Sequence, residues 1–218
     1  MKSTSTRFFR HYKNKPYKYL GTVHHSETLE ELVLYETLYQ NETGQFWVRP
    51  KDMFFSDVEI NGAKRPRFEK IMFDFKVTEN LTETELAQVR ELHQVCFGSV
   101  VGEDFFQTKL ALHKRCFSVL AYEGEKLLGY KIGYALGADL FYSWLGAVEP
   151  DHRHLGLASE LLLRQHQWCR EQGFSRIETR TRNKFLSMLR LNLKYGFEIT
   201  GMLTDDRGAK IILQKKLN

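Results

Sequence analysis

The sequence contains little cysteine, little proline and no long apolar run. Its three cysteines, Cys96, Cys116 and Cys169, are widely spaced over 218 residues and form no Cys-x-x-Cys pair. Scattered, odd-numbered cysteines argue against a disulfide framework and a zinc site, and they are typical of reduced thiols in a cytoplasmic protein. No apolar stretch approaches the roughly 20 residues that a membrane span needs, and residues 1–6 lack the apolar segment of a signal peptide. We therefore expect a cytoplasmic protein with no metal and no membrane association.

Basic charge is concentrated at the N-terminus. The net charge is +5, and residues 2–18 hold six basic residues and no acidic one, with aromatic side chains between them. The basic residues are Lys2, Arg7, Arg10, Lys13, Lys15 and Lys18, and the aromatic ones are Phe8, Phe9, Tyr12 and Tyr17. This pattern allows contact with phosphates and stacked bases. A solvated basic edge with buried aromatic side chains is the favoured interpretation, and a protein or nucleic-acid partner is the alternative.

Residues 1–70 have the composition of a small all-β module. They are rich in aromatic and β-branched residues and are interrupted by turn signals. Asn61-Gly62, between residues 54–60 and 65–68, is typical of a hairpin turn. Residues 29–39 open with charges and then alternate like a strand, so we predict mostly strand there.

From about residue 71 the pattern changes to mixed helices and strands. Asn80, followed three residues later by Glu83, predicts a capped helix start, and apolar residues then recur at helical spacing up to Gly98. Helices are predicted over 80–97, 105–113, 157–172 and 185–195, and strands over 116–122, 126–136, 140–148, 175–181, 197–203 and 210–214. This order predicts a second, layered α+β domain over residues 71–218.

One turn joins an almost wholly apolar strand to the most strongly amphipathic helix. The strand Leu140–Val148 is followed by the turn Arg153–Ala158, which opens the helix over 157–172. A helix N-terminus offers unpaired backbone N–H groups and the positive end of its dipole, both suited to a diphosphate. Gly156 lets the backbone approach a ligand closely, and Arg153 adds positive charge. The turn is therefore predicted to hold a diphosphate-containing cofactor.

The turn and the elements around it resemble the GNAT acetyltransferases. The central signature of that family, Gln/Arg-x-x-Gly-x-Gly/Ala, lies at the same strand-to-helix junction, and Asn183 and Gly196-Phe197 match its later markers. The resemblance covers about Phe75–Asn218 and implies the GNAT fold, a mixed central sheet flanked by helices, with acetyl-CoA as cosubstrate. It also implies transfer of the acetyl group to a primary amine by direct attack in a ternary complex. The cofactor-binding residues that it implies are Val148, Arg153, His154, Leu155, Gly156, Leu157, Ala158 and Asn183.

The general base follows a less common pattern of the family. The strand position that often carries a glutamate holds Tyr142, and no carboxylate lies between residues 140 and 148. A second family pattern puts a glutamate on the next strand, where Glu178 stands. Arg176 and Arg180 share its face by strand alternation. A base and an ion-paired surface carboxylate are therefore equally supported interpretations of Glu178.

The general acid is open as well. The position of the family's usual tyrosine holds Asn192, which cannot donate a proton as a phenol does. Tyr195, Tyr142 or water are the alternatives, so the catalytic candidates are Glu178, Tyr195 and Tyr142. Phe141, Tyr142 and Trp144 either line an aromatic acceptor side or only pack the strand. The rival hypothesis is a catalytically weak protein that binds or senses coenzyme A or associates with nucleic acid.

The N-terminal module carries a second resemblance. Segments such as Phe9–Lys13, His25–Thr28 and Trp47–Pro50 are similar to a small bacterial domain of unknown function, which implies no activity. The similarity covers about Thr6–Phe68. His24 and His25 cannot chelate one metal together, because adjacent strand residues point to opposite faces, and we interpret them as structural.

Overall fold

The structure, a computed structural model, describes residues 7–217. Residues 1–6, which include Lys2 of the basic segment and the stretch searched for a signal peptide, lie outside the described residues. Internal contacts divide the chain into two compact units, with the division between Met72 and Phe73. Within residues 7–217, no helix is long and apolar enough to cross a membrane.

The first unit is almost entirely β structure. Its elements are β1 (Phe8–His11), β2 (Lys15–His24), β3 (Glu31–Thr37), β4 (Phe46–Pro50), the helical turn α1 (Lys51–Phe54), β5 (Asp57–Ile60), β6 (Ala63–Pro66) and β7 (Phe68–Lys70). Five strands pair antiparallel in the order β4-β3-β2-β1-β7, and β5 and β6 form a separate hairpin. The strand predicted over 29–39 is confirmed as β3. Asn61 and Gly62 have φ of 53° and 76°, the positive values that a tight hairpin turn needs, which confirms that turn.

An aromatic core holds the first unit together. Val33, Tyr35, Phe54 and Phe68 are buried, and the rings of Phe54 and Phe68 stack at 4.0 Å. Phe54, which the sequence pattern placed in the first strand of the hairpin, instead ends α1, because this helical turn aims its ring into the core. Phe9 packs against the same core, in keeping with the interpretation that buries aromatic residues of the basic segment.

The two adjacent histidines lie at the end of β2 and in the turn after it. His24 ends β2, and its Nδ1 atom lies 3.2 Å from the Leu29 carbonyl oxygen. The Nδ1 atom of His25 accepts hydrogen bonds from the backbone N–H groups of Glu27 and Thr28, both at 3.2 Å. These contacts close the turn that leads into β3. They support the structural interpretation of both residues.

The second unit is a mixed seven-stranded sheet with helices on both faces. Its strands are β8 (Asp74–Thr78), β9 (Phe117–Glu123), β10 (Lys126–Ala135), β11 (Leu140–Val148), β12 (Arg176–Thr181), β13 (Glu198–Asp205) and β14 (Gly208–Lys216). Its helices are α2 (Glu83–Phe97), α3 (Phe105–Ala111), α4 (Leu157–Glu171) and α5 (Leu186–Lys194). The strand order is β13-β14-β12-β11-β10-β9-β8, and β11 and β12 pair in parallel. The predicted fold class, a mixed sheet flanked by helices and preceded in sequence by a small all-β domain, is confirmed.

Two local predictions need correction. The sequence pattern missed β8, a short edge strand that pairs with β9 and carries charged residues, so its apolar alternation is weak. The helix α2 is capped by Thr82 and not by Asn80. The Thr82 hydroxyl accepts from the N–H of Glu85 at 3.3 Å, and the Glu85 carboxylate accepts from the N–H of Thr82 at 2.9 Å. This reciprocal capping box outcompetes the pair two residues upstream.

The sheet packs differently on its two faces. Phe141 and Ile177 pack under Leu161 and Leu162 of α4, on what we call the α4 face. Tyr130, which alternates with these positions across the sheet, packs against α2 on the opposite side, which we call the α2 face. Each strand residue of this unit therefore faces one of two distinct layers.

Candidate functional site

The neighbouring strands β11 and β12 pair along only half their length. Their parallel register runs from Leu140 opposite Arg176 to Ser143 opposite Thr179, and no further pairing of the two strands follows in residues 7–217. On the other side of β11, Ser143 and Leu145 face consecutive residues of β10, so Trp144 forms a bulge. A bulge bends its strand and re-aims the residues beyond it. A gap therefore opens between the second half of β11 and β12.

The chain that leaves the unpaired half of β11 enters α4 through a turn with two left-handed residues. Gly156 is the N-cap residue with φ of 77°, and it offers no side-chain cap to the first helical turn. His154 has φ of 69°, an uncommon value for a residue other than glycine. Alternation of left-handed residues with others aims successive N–H groups into one concavity that favours anions. The uncapped N–H groups and the helix dipole therefore fit a diphosphate.

The other residues of the turn hold it in place. Leu155 and Leu157 are buried, so their side chains anchor the turn and only their backbone can face a ligand. The Arg153 Nε atom donates to the Val148 carbonyl at 3.3 Å, which ties the turn to the end of β11. Cys96 donates to the same carbonyl at 3.4 Å.

Two more predicted cofactor residues lie at the borders of the gap. Ala158, with its small side chain, lies in the first turn of α4. Asn183 is exposed in the loop between β12 and α5, two residues beyond the end of β12. The predicted cofactor residues thus lie at the end of β11, at the start of α4 and in the loop after β12.

Glu178 is a buried and fully hydrogen-bonded carboxylate. One carboxylate oxygen accepts from the Arg180 Nε atom at 2.9 Å, and the other accepts from the Gln214 amide at 2.9 Å. The Glu178 side chain is only 8% exposed. Arg176 takes no part in these contacts, since its guanidinium pairs with Asp139 at 3.1 Å.

Of the other two catalytic candidates, the structure brings only Tyr142 to Glu178. Tyr142 is the register partner of Glu178, and the Arg180 guanidinium lies over its ring at 5.3 Å. Burial raises the pKa of Tyr142. Tyr195 instead follows the end of α5 and packs against the core of the α4 face, whereas Glu178 alternates with Ile177 and faces the other side.

An aromatic group adjoins Tyr142 on the α2 face. Tyr134 contacts the rings of both Tyr142 and Trp144 at 5.5 and 5.9 Å, and His113 stacks on Tyr134 at 3.6 Å. Phe141 is not a member, because it points into the core under α4. The sequence pattern singled out neither His113 nor Tyr134. Alternation along β10 would have assigned Tyr134 to the same face as Tyr130.

The α4 face also buries polar residues, two of which, Gln165 and His166, the sequence pattern did not single out. Gln165 and His166 are fully buried on α4, and Asn192 is 1% exposed on α5. The side-chain nitrogen and oxygen atoms of all three have no hydrogen-bond partner within the described part of the chain. Gln165 and His166 continue the apolar stripe of Leu161 and Leu162 one turn later, and this spacing could have revealed them. Buried polar atoms without partners fit a ligand that brings its own donors and acceptors.

Two protein-family models match the chain. Residues 86–197 match the acetyltransferase (GNAT) family, and residues 7–70 match a protein of unknown function (DUF1653). No curated protein matches the chain as a whole or in part.

Solved structures of acetyltransferases share the fold of the second unit. The ribosomal-protein-S18-alanine N-acetyltransferase of Escherichia coli is 17% identical, with a TM-score of 0.57 over 66% of this chain and 95% of that one. Ard1 of Thermoplasma volcanium is 18% identical, with a TM-score of 0.60 over 66% and 98%. An aminoglycoside 6'-N-acetyltransferase in complex with coenzyme A is 14% identical, with a TM-score of 0.57 over 66% and 97%.

Proposed function

The chain belongs to the GNAT acetyltransferase family, and on that premise we propose that it moves the acetyl group of acetyl-CoA to a primary amine. The amine belongs to a small molecule, a protein or a peptide, and it attacks the thioester directly while both substrates are bound. One observation carries the proposal: β11 has no β12 partner along its second half, and the uncapped start of α4 is tied to the end of that strand through Arg153. The three free cysteines support a cytoplasmic location.

The chain supplies binding and orientation along the gap. The N–H groups at His154, Gly156 and Ala158 would hold the diphosphate, with Arg153 adding positive charge. The unpaired half of β11 up to Val148 would hydrogen bond an extended pantetheine arm as a missing strand would. Asn183 would lie near the thioester end. Acetyl-CoA supplies an activated acyl thioester when bound there, and the protein contributes proximity and alignment.

Glu178 is the group that we assign to the amine proton. A lysine-type amine has a pKa of about 10.4 and needs a base to lose its proton. An α-amine has a pKa of about 7.8 and depends less on a base. Arg180 and Gln214 hold the carboxylate in one orientation beside Tyr142. The aromatic group of Tyr142, Tyr134 and Trp144 adjoins it and would receive the acceptor.

A catalytically weak protein that binds or senses coenzyme A is the second candidate. It is favoured by Asn192, which stands at the family's usual tyrosine position and carries no acidic proton.

We assign residues 71–218 to acetyl transfer and residues 1–70 to selection of a partner, either a protein or a nucleic acid. Basic side chains near aromatic ones, such as Lys13 over Tyr12 and Lys15 over Tyr39, support a surface that binds phosphates. Binding of oligonucleotides should weaken steeply with added salt. An affinity that salt leaves unchanged would count against a nucleic acid and leave a protein partner.

The transfer activity is tested with the full chain, acetyl-CoA and a panel of primary amines and peptides, by following release of free thiol. At least one acceptor should release thiol in step with its acetylation, read by mass spectrometry. Tight coenzyme A binding with no thiol release from any amine would favour the sensing protein instead.

The role of Glu178 is tested with Glu178→Gln. Transfer to the best acceptor should slow by about 100-fold or more, the usual contribution of a general base, while coenzyme A affinity stays the same. Glu198→Gln is the matched control, because Glu198 is an exposed strand carboxylate whose register partner is the same Gln214. Equal rates in both variants would reduce Glu178 to an ion-paired structural residue.

A further inference from the structure

A set of buried polar residues occupies the layer between the sheet and helices α4 and α5. Its members are Lys131, Ser143, Gln165, His166 and Asn192, and each is at most 6% exposed. Lys131 alternates with Tyr130 and Ile132 of the α2 face and therefore points to the α4 face, as Ser143 does beside Phe141. The polar side-chain atoms of the other four have no hydrogen-bond partner among residues 7–217. We call this set the polar layer.

Lys131 extends across β11 toward the gap. Its register partner on β11 is Gly146, two residues beyond the bulge at Trp144 and inside the half of β11 that lacks a β12 partner. A Cβ atom at position 146 would lie 3.7 Å from the Lys131 Nζ atom and 3.5 Å from its Cγ atom. The side chain therefore lies over the backbone of Gly146, where a larger residue would crowd it. The Lys131 amine therefore lies beside the half of β11 that has no β12 partner.

Lys131 is the member of the polar layer that can carry a proton at neutral pH, because the titratable groups that face it are uncharged there. His166 faces it from α4, and burial together with Lys215 and Lys131 lowers the pKa of His166 to about 3. Cys169 also faces it from α4, and burial raises the pKa of that thiol to about 12. The register partners of Lys131 on β9 and β11, Val119 and Gly146, carry no titratable group. At neutral pH both α4 groups are thus uncharged, while the lysine can carry a proton.

The acidity of Lys131 suits transfer to a sulfur. Burial lowers its pKa to about 8 from the ordinary 10.5. An ordinary thiol has a pKa near ~8.5, so a proton passes between the two groups with little change in free energy, the condition under which an acid works best. Asn192, at the family's usual acid position, has no such proton to give.

We propose that Lys131 is the proton donor to the departing sulfur of coenzyme A, so that a buried lysine of β10 takes the role that Asn192 cannot fill. In the transfer step the amine nitrogen forms a bond to the acetyl carbon and loses a proton to Glu178. The carbon–sulfur bond breaks, its electron pair stays on sulfur, and Lys131 gives that sulfur a proton. Lys131 is left as a neutral amine and regains its proton from solvent. This inference rests on the proposed function.

The inference is tested first without catalysis, by titrating the thiol of bound coenzyme A. The thiolate is followed by its ultraviolet absorbance, as the difference between the loaded and the free protein. An ammonium beside the sulfur stabilises the thiolate, so the wild-type complex should raise the acid dissociation constant of the thiol by about tenfold or more over free coenzyme A. Lys131→Met should abolish this increase, and Lys131→Arg, which keeps the charge, should retain it.

Lys216→Met is the matched control, because Lys216 is an exposed strand lysine in the same unit. Calorimetric affinities for coenzyme A accompany each titration. If all proteins bind coenzyme A and the wild type and Lys131→Met titrate alike, Lys131 is not beside the sulfur and the inference fails. If no protein binds coenzyme A, the proposed function fails instead.

A kinetic measurement separates proton donation from mere placement near the sulfur. With any acceptor that the amine panel identifies, Lys131→Met should lower kcat by about 100-fold and leave the KM for acetyl-CoA unchanged. The wild-type kcat should fall as pH rises above about 8, where Lys131 loses its proton, and this decline should vanish in Lys131→Met. An unchanged kcat in Lys131→Met would overturn the assignment.

Discussion

Two sets of buried polar side chains on opposite faces of the large sheet differ in their hydrogen bonding. On the α2 face, both carboxylate oxygens of Glu178 are hydrogen bonded, one to Arg180 and one to Gln214. On the α4 face, the amide of Gln165 and both ring nitrogens of His166 are buried without a partner among the described residues. The same sheet thus separates a completed polar network from an incomplete one.

This difference separates buried polar residues that stabilise the fold from those that we expect to bind a ligand. A buried polar group with partners stabilises one arrangement, whereas one without partners costs free energy that packing elsewhere must offset. Lys131, which His166 faces, lies beside the half of β11 that has no β12 partner. We infer that acetyl-CoA completes this set, while the Glu178 network is already organised before any substrate arrives. Substitutions in the two sets should change the free energy of unfolding in opposite directions, so the comparison can be tested.

The largest effect on coenzyme A binding should come from a substitution at the start of α4. Gly156→Trp puts a bulky Cβ-bearing residue at φ of 77° and fills the space where the backbone meets the diphosphate. Measurable coenzyme A binding by calorimetry should be lost, a change of about 100-fold or more. Circular dichroism checks that the variant folds. A folded variant with wild-type affinity would remove the turn from the cofactor site and end the comparison.

On the incomplete side, removing the buried amine should stabilise the free protein. The pKa of Lys131 is about 8 in the folded state and 10.5 in the unfolded chain, so the unfolded chain binds the proton more tightly. The free energy of unfolding is therefore reduced, and the reduction is greatest below pH 8. Lys131→Met should therefore raise the free energy of unfolding by about 3 kcal/mol at pH 7. The gain should shrink as pH rises toward 10.5. Denaturant unfolding at pH 7 and pH 10 measures it, and a destabilised variant would contradict the incomplete network.

On the completed side, removing a partner should destabilise. Arg180→Leu leaves the buried Glu178 carboxylate without its guanidinium, and we expect a loss of about 2 kcal/mol after allowing for the partial exposure of Arg180. Arg176→Leu on the same strand is the matched control. It breaks an exposed pair with Asp139 and should cost less than about 1 kcal/mol. Equal losses in urea unfolding would mean that the Glu178 network is no more than a surface ion pair.

The smallest effect should distinguish a site from a packing defect. Gln165→Leu removes two unpaired polar atoms from a fully buried position, so stability should rise by about 1 kcal/mol. If acetyl-CoA completes the polar layer, coenzyme A affinity should fall at the same time. Gln167→Leu, on the outer side of α4 where Gln167 contacts Glu171, should change neither quantity appreciably. Higher stability with unchanged affinity would make Gln165 a defect with no part in binding.

Much of the element order could be predicted because it depends on local periodicity. The span of β11 agrees with the structure at both ends, and α4 differs by one residue, since a strand covered on both faces and a long amphipathic helix have strong patterns. The edge strand β8 has mixed burial and charged residues and gave no such pattern. The cap of α2 was misplaced by two residues because Asn80 and Thr82 both offer capping chemistry, and only the geometry chooses Thr82.

The turn at Arg153–Ala158 and the family resemblance could be identified from local sequence, because a glycine that opens a helix after an apolar strand is a contiguous signal. The surroundings of the turn depend on contacts between segments that are far apart in the chain. The bulge at Trp144 and the parting of β11 from β12 depend on pairing between distant segments. The placement of Lys131 over Gly146, and the separation of Tyr195 from Glu178 by a whole sheet, follow from which face each strand residue takes. Side chains that are far apart along the chain acquire a shared environment only when the sheet forms, so their chemistry could not be inferred from spacing.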